Sequence, residues 1–159
     1  PLHPYSKALL SAIPSPDPMK RKLSQAEFLL GEVASIVDSP SGCRFHPRCK
    51  YAFKECGFGS VDLLAYLRKN MGEEMELTAT AKGPFHLEIK PIEGKNSTKI
   101  KAVFSDLITK REESKIPLFQ AIKDIKKEDD RVNIYFYEKK EPKLVEYQKD
   151  RYVSCLLYL

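Results

Sequence analysis

The chain has 159 residues, 42% of them hydrophobic and including eight Phe and eight Tyr, which suits one ordinary domain or two very small ones and argues against disorder of the whole. Its 27 Lys and Arg against 22 Asp and Glu leave a net charge of only +5, well interspersed, so charge alone makes no case for nucleic-acid binding. No run approaches the roughly 18 apolar residues of a membrane helix, and four cysteines are too sparse for a disulfide scaffold, which leaves a metal site or buried thiols.

The chain opens on PLHPYSKALL without a Met and reads as a piece of a longer protein. Residues 1–40 carry Pro1, Pro4, Pro14, Pro16, Pro18 and Pro40, six of the eleven prolines. Pro4 suits a first helical turn, where its missing N–H costs nothing. Ala8, Leu9 and Ile13 then share one side of a short amphipathic helix over residues 5–13. Pro14, Pro16 and Pro18 end it and hold the chain extended. Lys20, Arg21 and Lys22 follow, then an extended run over residues 28–33.

The stretch PSGCRFHPRCKYAFKEC, residues 40–56, holds Cys43, Cys49 and Cys56, with five and six residues between them. Cys155 follows after 98 more residues, 57–154. Thiolates bind zinc or the iron of iron–sulfur clusters. Zinc sites usually pair cysteines two to four residues apart, so these gaps are wide for one tetrahedral ion. A cubane cluster is larger, and uneven spacing with a remote last ligand suits it better. Zinc held by four cysteines, or by three with His46, and four small buried thiols with no metal are the competing readings. Arg44, Arg48 and Lys50 stand beside the sulfurs and offer positive charge against a buried anionic centre, with His46 between two of them as a neighbour of the site. Pro40, Gly42 and Pro47 shape a loop able to turn backbone amides inward, and residues 51–56 read as a short helix.

Residues 59–140 have a pattern of their own. Leu63, Leu64, Tyr66 and Leu67 have helical spacing over residues 61–71. Residues 75–82 and 84–91 alternate apolar and polar around Lys82-Gly83-Pro84, a hairpin. Val103, Phe104, Leu107 and Ile108 predict a helix over 100–114. Leu118, Phe119, Ile122 and Ile125 predict another over 116–127, begun by Pro117, with Lys123, Lys126 and Lys127 on its wet face. Residues 132–137 alternate as a third strand. The order is αββααβ, a small unit with an antiparallel sheet. Residues 143–147 are expected to pair with 132–137 through Lys139-Lys140-Glu141-Pro142 and lead the chain back to Cys155. His86 reads as a surface histidine, and Glu73, Glu74, Glu76, Asp129 and Asp130 as solvated acids in turns and strand ends.

His3-Pro4-Tyr5-Ser6-Lys7-Ala8-Leu9-Leu10-Ser11-Ala12-Ile13-Pro14, then Pro16-Asp17-Pro18, Gly31-Glu32 and Ser41-Gly42-Cys43-Arg44-Phe45-His46-Pro47-Arg48-Cys49, in that order, resemble the C-terminal extension of oligopeptide and dipeptide ABC-transporter ATP-binding proteins. The likeness covers residues 1–57 closely and resumes from Glu141-Pro142-Lys143-Leu144-Val145-Glu146 to Tyr152-Val153-Ser154-Cys155. It implies a [4Fe–4S] cluster on Cys43, Cys49, Cys56 and Cys155, structural or redox-sensing, with Arg44, His46 and Arg48 around it. It also implies a parent protein whose missing ATPase domain binds ATP and Mg and drives peptide import at the cytoplasmic face of the membrane. This piece would pack against that domain and a partner ATPase subunit, with the permease reached only indirectly and no nucleic acid bound. The family's fourth cysteine follows the third more closely than here. Lengthening such a loop about fivefold costs only about 1.4 kcal/mol.

The expected architecture is therefore α+β. A proline-rich arm (1–40) leads to a small irregular metal-binding cysteine region (41–58 plus 141–159), which carries an inserted small α/β unit with an antiparallel sheet (59–140). No P-loop occurs, so this piece is not expected to hydrolyse ATP. A zinc-binding interaction module, or a basic nucleic-acid-binding metal module, is the alternative.

Overall fold

A computed structural model describes residues 1–13, 40–71, 77–92 and 98–159. The expected extended run over 28–33, the prolines from Pro14 to Pro18, the cations Lys20 to Lys22 and the acids Glu73, Glu74 and Glu76 lie outside those residues. Helix α1 (Pro4–Ser11) begins as expected, with Pro4 in the first turn. His3 caps it, its Nδ1 accepting the Tyr5 amide at 3.1 Å.

The main layer is a four-stranded antiparallel sheet of β1 (Leu77–Gly83), β2 (His86–Pro91), β3 (Ile122–Glu128) and β4 (Arg131–Phe136), in the order β1-β2-β4-β3. Helices α2 (Ser60–Met71) and α3 (Thr98–Glu113) pack on one face, and the short α4 (Pro117–Gln120) leads into β3. The sequence is thus αββααββ, an α+β unit in which each of α2 and α3 precedes a hairpin and the two hairpins meet along β2 and β4. This is the strand order of a split β-α-β pattern after circular permutation.

The core forms where the sequence periods place apolar side chains on one face. Leu63 and Leu67 on α2 and Ile100, Val103 and Leu107 on α3 lie one turn apart, and all are buried. They meet Leu87 and Ile89 of β2 and Val132, Ile134 and Phe136 of β4. Phe119, fully buried on α4, packs edge-on against Tyr66 at 5.1 Å. Burying each such side chain contributes about 1.5–3 kcal/mol.

Three expectations need correction here. Residues 116–127 are not one helix: only α4 is helical, and β3 follows. A bulge between Ile122 and Asp124 shifts the register, so Ile122 and Ile125, three residues apart, both reach the core from a strand. That spacing imitates a helix. Lys123, Lys126 and Lys127 are accordingly exposed on an edge strand. Residues 143–147 do not join the large sheet; β5 (Val145–Gln148) and β6 (Arg151–Val153) form a separate two-stranded hairpin. Residues 51–56 contain one turn of 3-10 helix, Lys54–Cys56, and no longer helix.

The sheet face away from the helices is polar and satisfied from within. Glu88 is buried between Lys82 at 3.2 Å and Arg131 at 3.5 Å. His86, expected on the surface, is half-buried: its Nε2 lies 3.0 Å from Asn133 Oδ1, and its ring stacks on Tyr135 at 4.6 Å. The hydrogen bond from Lys82, backed by the charges of Lys82, Arg131 and Lys90, holds the Glu88 carboxyl below the usual carboxylate range. A depressed folded-state pKa contributes stability above the ordinary value, and that stability is lost as pH falls through the folded one. Thermal melts taken above and below pH 4.5 will therefore show an acid-side loss in the wild type. That loss will be smaller in Glu88→Gln; equal acid sensitivity in the two proteins would count against this assignment.

Candidate functional site

The cysteine region is built from three separated pieces of chain. Its middle piece folds as a tight loop. The Cys43 amide donates to Cys56 O at 2.9 Å, and the amides of His46, Cys49 and Ala52 donate to the oxygens of Cys43, His46 and Cys49. One turn of 3-10 helix spans His46–Arg48. Gly42 and Gly57 cross face to face with φ of +69° and +111°. A Cβ on Gly42 would stand 2.6 Å from Cys56 O, and one on Gly57 would collide with Ser41 O. This crossing brings Cys43 and Cys56 together, and Ser41 Oγ donates to Gly57 O at 2.5 Å across it.

The first piece, α1, lies over this loop. Tyr5 packs edge-on against Phe45 at 5.3 Å, with the His3 ring 6.0 Å from the same phenyl. The third piece, β5, β6 and the terminal turn Leu156–Tyr158, returns the chain to the loop. Ser154 Oγ donates to Pro142 O at 2.6 Å, Tyr158 stacks edge-on on Tyr147 at 4.8 Å, and Tyr158 Oη donates to Leu2 O at 2.8 Å.

All four cysteines line one small pocket, walled otherwise by His3, Pro4, Phe45, His46, Tyr51, Leu156 and Leu157. All four are free thiols, and Cys56 and Cys155 are buried. Their electrostatics record the convergence. Burial first, and then the neighbouring sulfurs Cys43, Cys49 and Cys155, push the Cys56 thiol up to about 11. Burial also raises Cys49 and Cys155, with Cys43 acting on both and Cys155 on Cys49. The backbone N–H groups of Tyr51, Phe53 and Leu157 offset part of the shift at Cys49, Cys56 and Cys155. Thiolates gathered in such a pocket require a cation, and soft sulfur donors suit iron or zinc.

Among the described residues, no group of three or more His, Cys, Asp or Glu side chains converges closely enough to hold a single metal ion. A tetrahedral zinc needs every sulfur about 2.3 Å from one point. A cubane cluster bonds each thiolate to a different iron, so its ligands stand farther apart around a shared cavity.

The expected neighbours divide. His46 is buried and structural: Nδ1 lies 2.8 Å from Cys43 O, Nε2 lies 3.2 Å from Asp62 Oδ1, and the ring packs on Phe58 at 4.3 Å. Both ring nitrogens are engaged, so ligation by His46 would break one of these contacts. Asp62 Oδ2 also accepts the Gly59 amide at 2.9 Å, so the His46–Asp62 contact joins the cysteine loop to the start of α2. Arg44 is exposed, and Arg48 is half-buried with its Nε buried and without a partner among the described residues. The cations that act on the sulfurs are Lys50 at Cys49 and Lys7 at Cys155. Lys7 and Asp62 were missed because the contacts that matter cross between segments; Gly57 is one glycine among seven.

Residues 1–56 match the family described as "Oligopeptide/dipeptide transporter, C-terminal region". Among similar proteins, the putative oligopeptide transport ATP-binding protein YkfD of Bacillus subtilis is 54% identical over 57 residues, 36% of this chain and 17% of that protein. The oligopeptide transport ATP-binding proteins OppF of Salmonella typhimurium and of Escherichia coli are each 50% identical over 56 residues, 35% of this chain and 17% of theirs. The resemblance read from the N-terminal motifs is thus shown over that stretch, which includes Cys43, Cys49 and Cys56 but not Cys155. The chain covers about a sixth of the length of these relatives. No solved structure matches.

Proposed function

We propose that the chain is the C-terminal accessory region of a peptide ABC-transporter ATP-binding subunit, and that Cys43, Cys49, Cys56 and Cys155 hold a structural or redox-sensing [4Fe–4S] cluster. The observation that carries the cluster is the shared pocket: four thiols from two distant stretches face one cavity, Cys43 acts on each of Cys49, Cys56 and Cys155, and Cys56 is acted on by all three other sulfurs. The match of residues 1–56 supports the parent. When bound, the cluster supplies cross-linking and, if its potential allows, one-electron chemistry. The chain's own residues do the rest. Phe45, Leu156 and Leu157 exclude water, amides of Tyr51, Phe53 and Leu157 favour the thiolates, and Lys7 and Lys50 offset negative charge.

Residues 59–140 are read as an insertion between the third and fourth ligands. In the parent, an ATPase domain hydrolyses ATP with Mg to drive peptide import at the cytoplasmic face of the membrane. This region packs on that domain and on a partner ATPase subunit, and reaches the permease only through them. Helix α1 and the residues just after it offer a surface for that packing, since Leu9, Leu10 and Ile13 are exposed. No described helix is long and apolar enough to cross a membrane.

Anaerobic purification tests the cluster. Brown protein with stoichiometric iron and acid-labile sulfide is expected. Colourless protein carrying zinc would replace the cluster with a zinc module, and protein carrying no metal would remove both.

A further inference from the structure

The two edges of the four-stranded sheet are built differently. The β3 edge is guarded: it carries Lys123, Asp124, Lys126 and Lys127, it is broken by a bulge, and Arg111 Nη2 donates to Lys123 O at 2.6 Å. Charge, a bulge and a covered carbonyl are the usual protections against strand addition. Among the described residues, the β1 edge has none of these over residues 77–81. It reads Leu77-Thr78-Ala79-Thr80-Ala81, without charge, proline or bulge, the irregularity coming only between Ala81 and Gly83. Thr78, Thr80 and Ala81 are exposed and Ala79 is half-buried. β2 lies on one side of β1, and no described strand lies on the other.

We propose that this edge joins two copies of the chain, β1 against β1 and antiparallel, about a two-fold axis beside Ala79, so that the two four-stranded sheets become one. The strand itself fits a second copy. Residues 78–80 read Thr-Ala-Thr and are symmetric about Ala79. In the self-pair, Thr78 faces Thr80 of the second copy and Leu77 faces Ala81, so one patch is its own complement, as a two-fold interface requires. Threonine pairs across strands are favourable, and threonine suits a strand. A foreign strand would be chosen by pockets for its side chains, and alternating Thr and Ala offer none. The seam is short, so the affinity belongs in the micromolar range typical of small interfaces.

Sedimentation velocity on the 159-residue chain across micromolar concentrations tests this. A reversible dimer is expected. Thr78→Lys with Thr80→Lys sets lysine against lysine across the seam and will weaken the dimer about tenfold or more. Thr78→Glu with Thr80→Lys sets opposite charges across the seam and will tighten it. Within each chain the second pair also faces Lys90 and Glu88 on β2 with favourable sign, so it keeps the test usable if the double lysine does not fold. A chain that stays monomeric throughout, or a dimer indifferent to the folded variants, overturns the proposal.

Discussion

Gly57→Ala will lower the chain's stability by at least about 2 kcal/mol and open the cysteine loop. Two penalties act together. At a φ of +111° a side chain is strained, which costs about 1–3 kcal/mol. The new Cβ also runs into Ser41 O and stands 2.8 Å from Gly42 Cα, both backbone atoms that cannot swing aside. Relief requires the two strands of the crossing to part, and the bond from the Cys43 amide to Cys56 O lies beside that crossing. The measurement is a thermal melt together with the alkylation rate of the thiols in metal-free protein. Cys56 is buried in the wild type and will react faster in the variant. Unchanged melting and unchanged Cys56 reactivity would show that the crossing does not hold the loop.

Cys155→Ser will lower iron and sulfide content at least about tenfold, since even groups that only support a metal's ligands commonly cost that much. The sulfur is the last of the four in the chain and the one outside the family match, so this variant tests the distant ligand directly. The backbone will change little: serine is close in shape, and the terminal turn remains tied through Tyr158 to Leu2. Full iron content in the variant would mean that Cys43, Cys49 and Cys56 bind without it. Proton competition adds a second readout. Ligation removes each thiol's proton, and Cys49, Cys56 and Cys155 hold theirs more tightly than usual, so loading will weaken as pH falls. In metal-free protein the sign reverses. A raised folded-state value for Cys56 contributes stability below the ordinary 9.0, and that stability is lost as pH rises towards about 11.

The elements legible in the sequence were those whose periodicity matched their geometry. Leu63 and Leu67 announced α2, Val103 and Leu107 announced α3, and Lys82-Gly83-Pro84 marked the end of β1. The stretch 116–127 misled because one bulge turns a period of two into an apparent period of three at Ile122 and Ile125. The partner of residues 143–147 was illegible for another reason. Pairing is chosen by tertiary packing, and Val145 finds Val153 after the turn at Asp150, whose positive φ of 59° an aspartate tolerates. At the site, chemistry was easier to read than geometry. Four thiols declare themselves by residue type, whereas the roles of Gly57, Asp62 and Lys7 exist only through contacts across the fold.

The tie between Tyr158 and Leu2, together with the placing of Cys155 against Cys43, has a consequence for the order of assembly. The four strands of the large sheet and helices α2 to α4 lie within residues 60–136, ahead of Cys155 in the chain, and can pack against one another before residues 141–159 have been made. The cysteine pocket cannot, because its wall needs the last residues of the described chain. Its closure joins the most widely separated contacts among the described residues, and contacts of such long range form late. A ligand that needs all four thiols can therefore be held only once Cys155 has been made and has reached Cys43, Cys49 and Cys56.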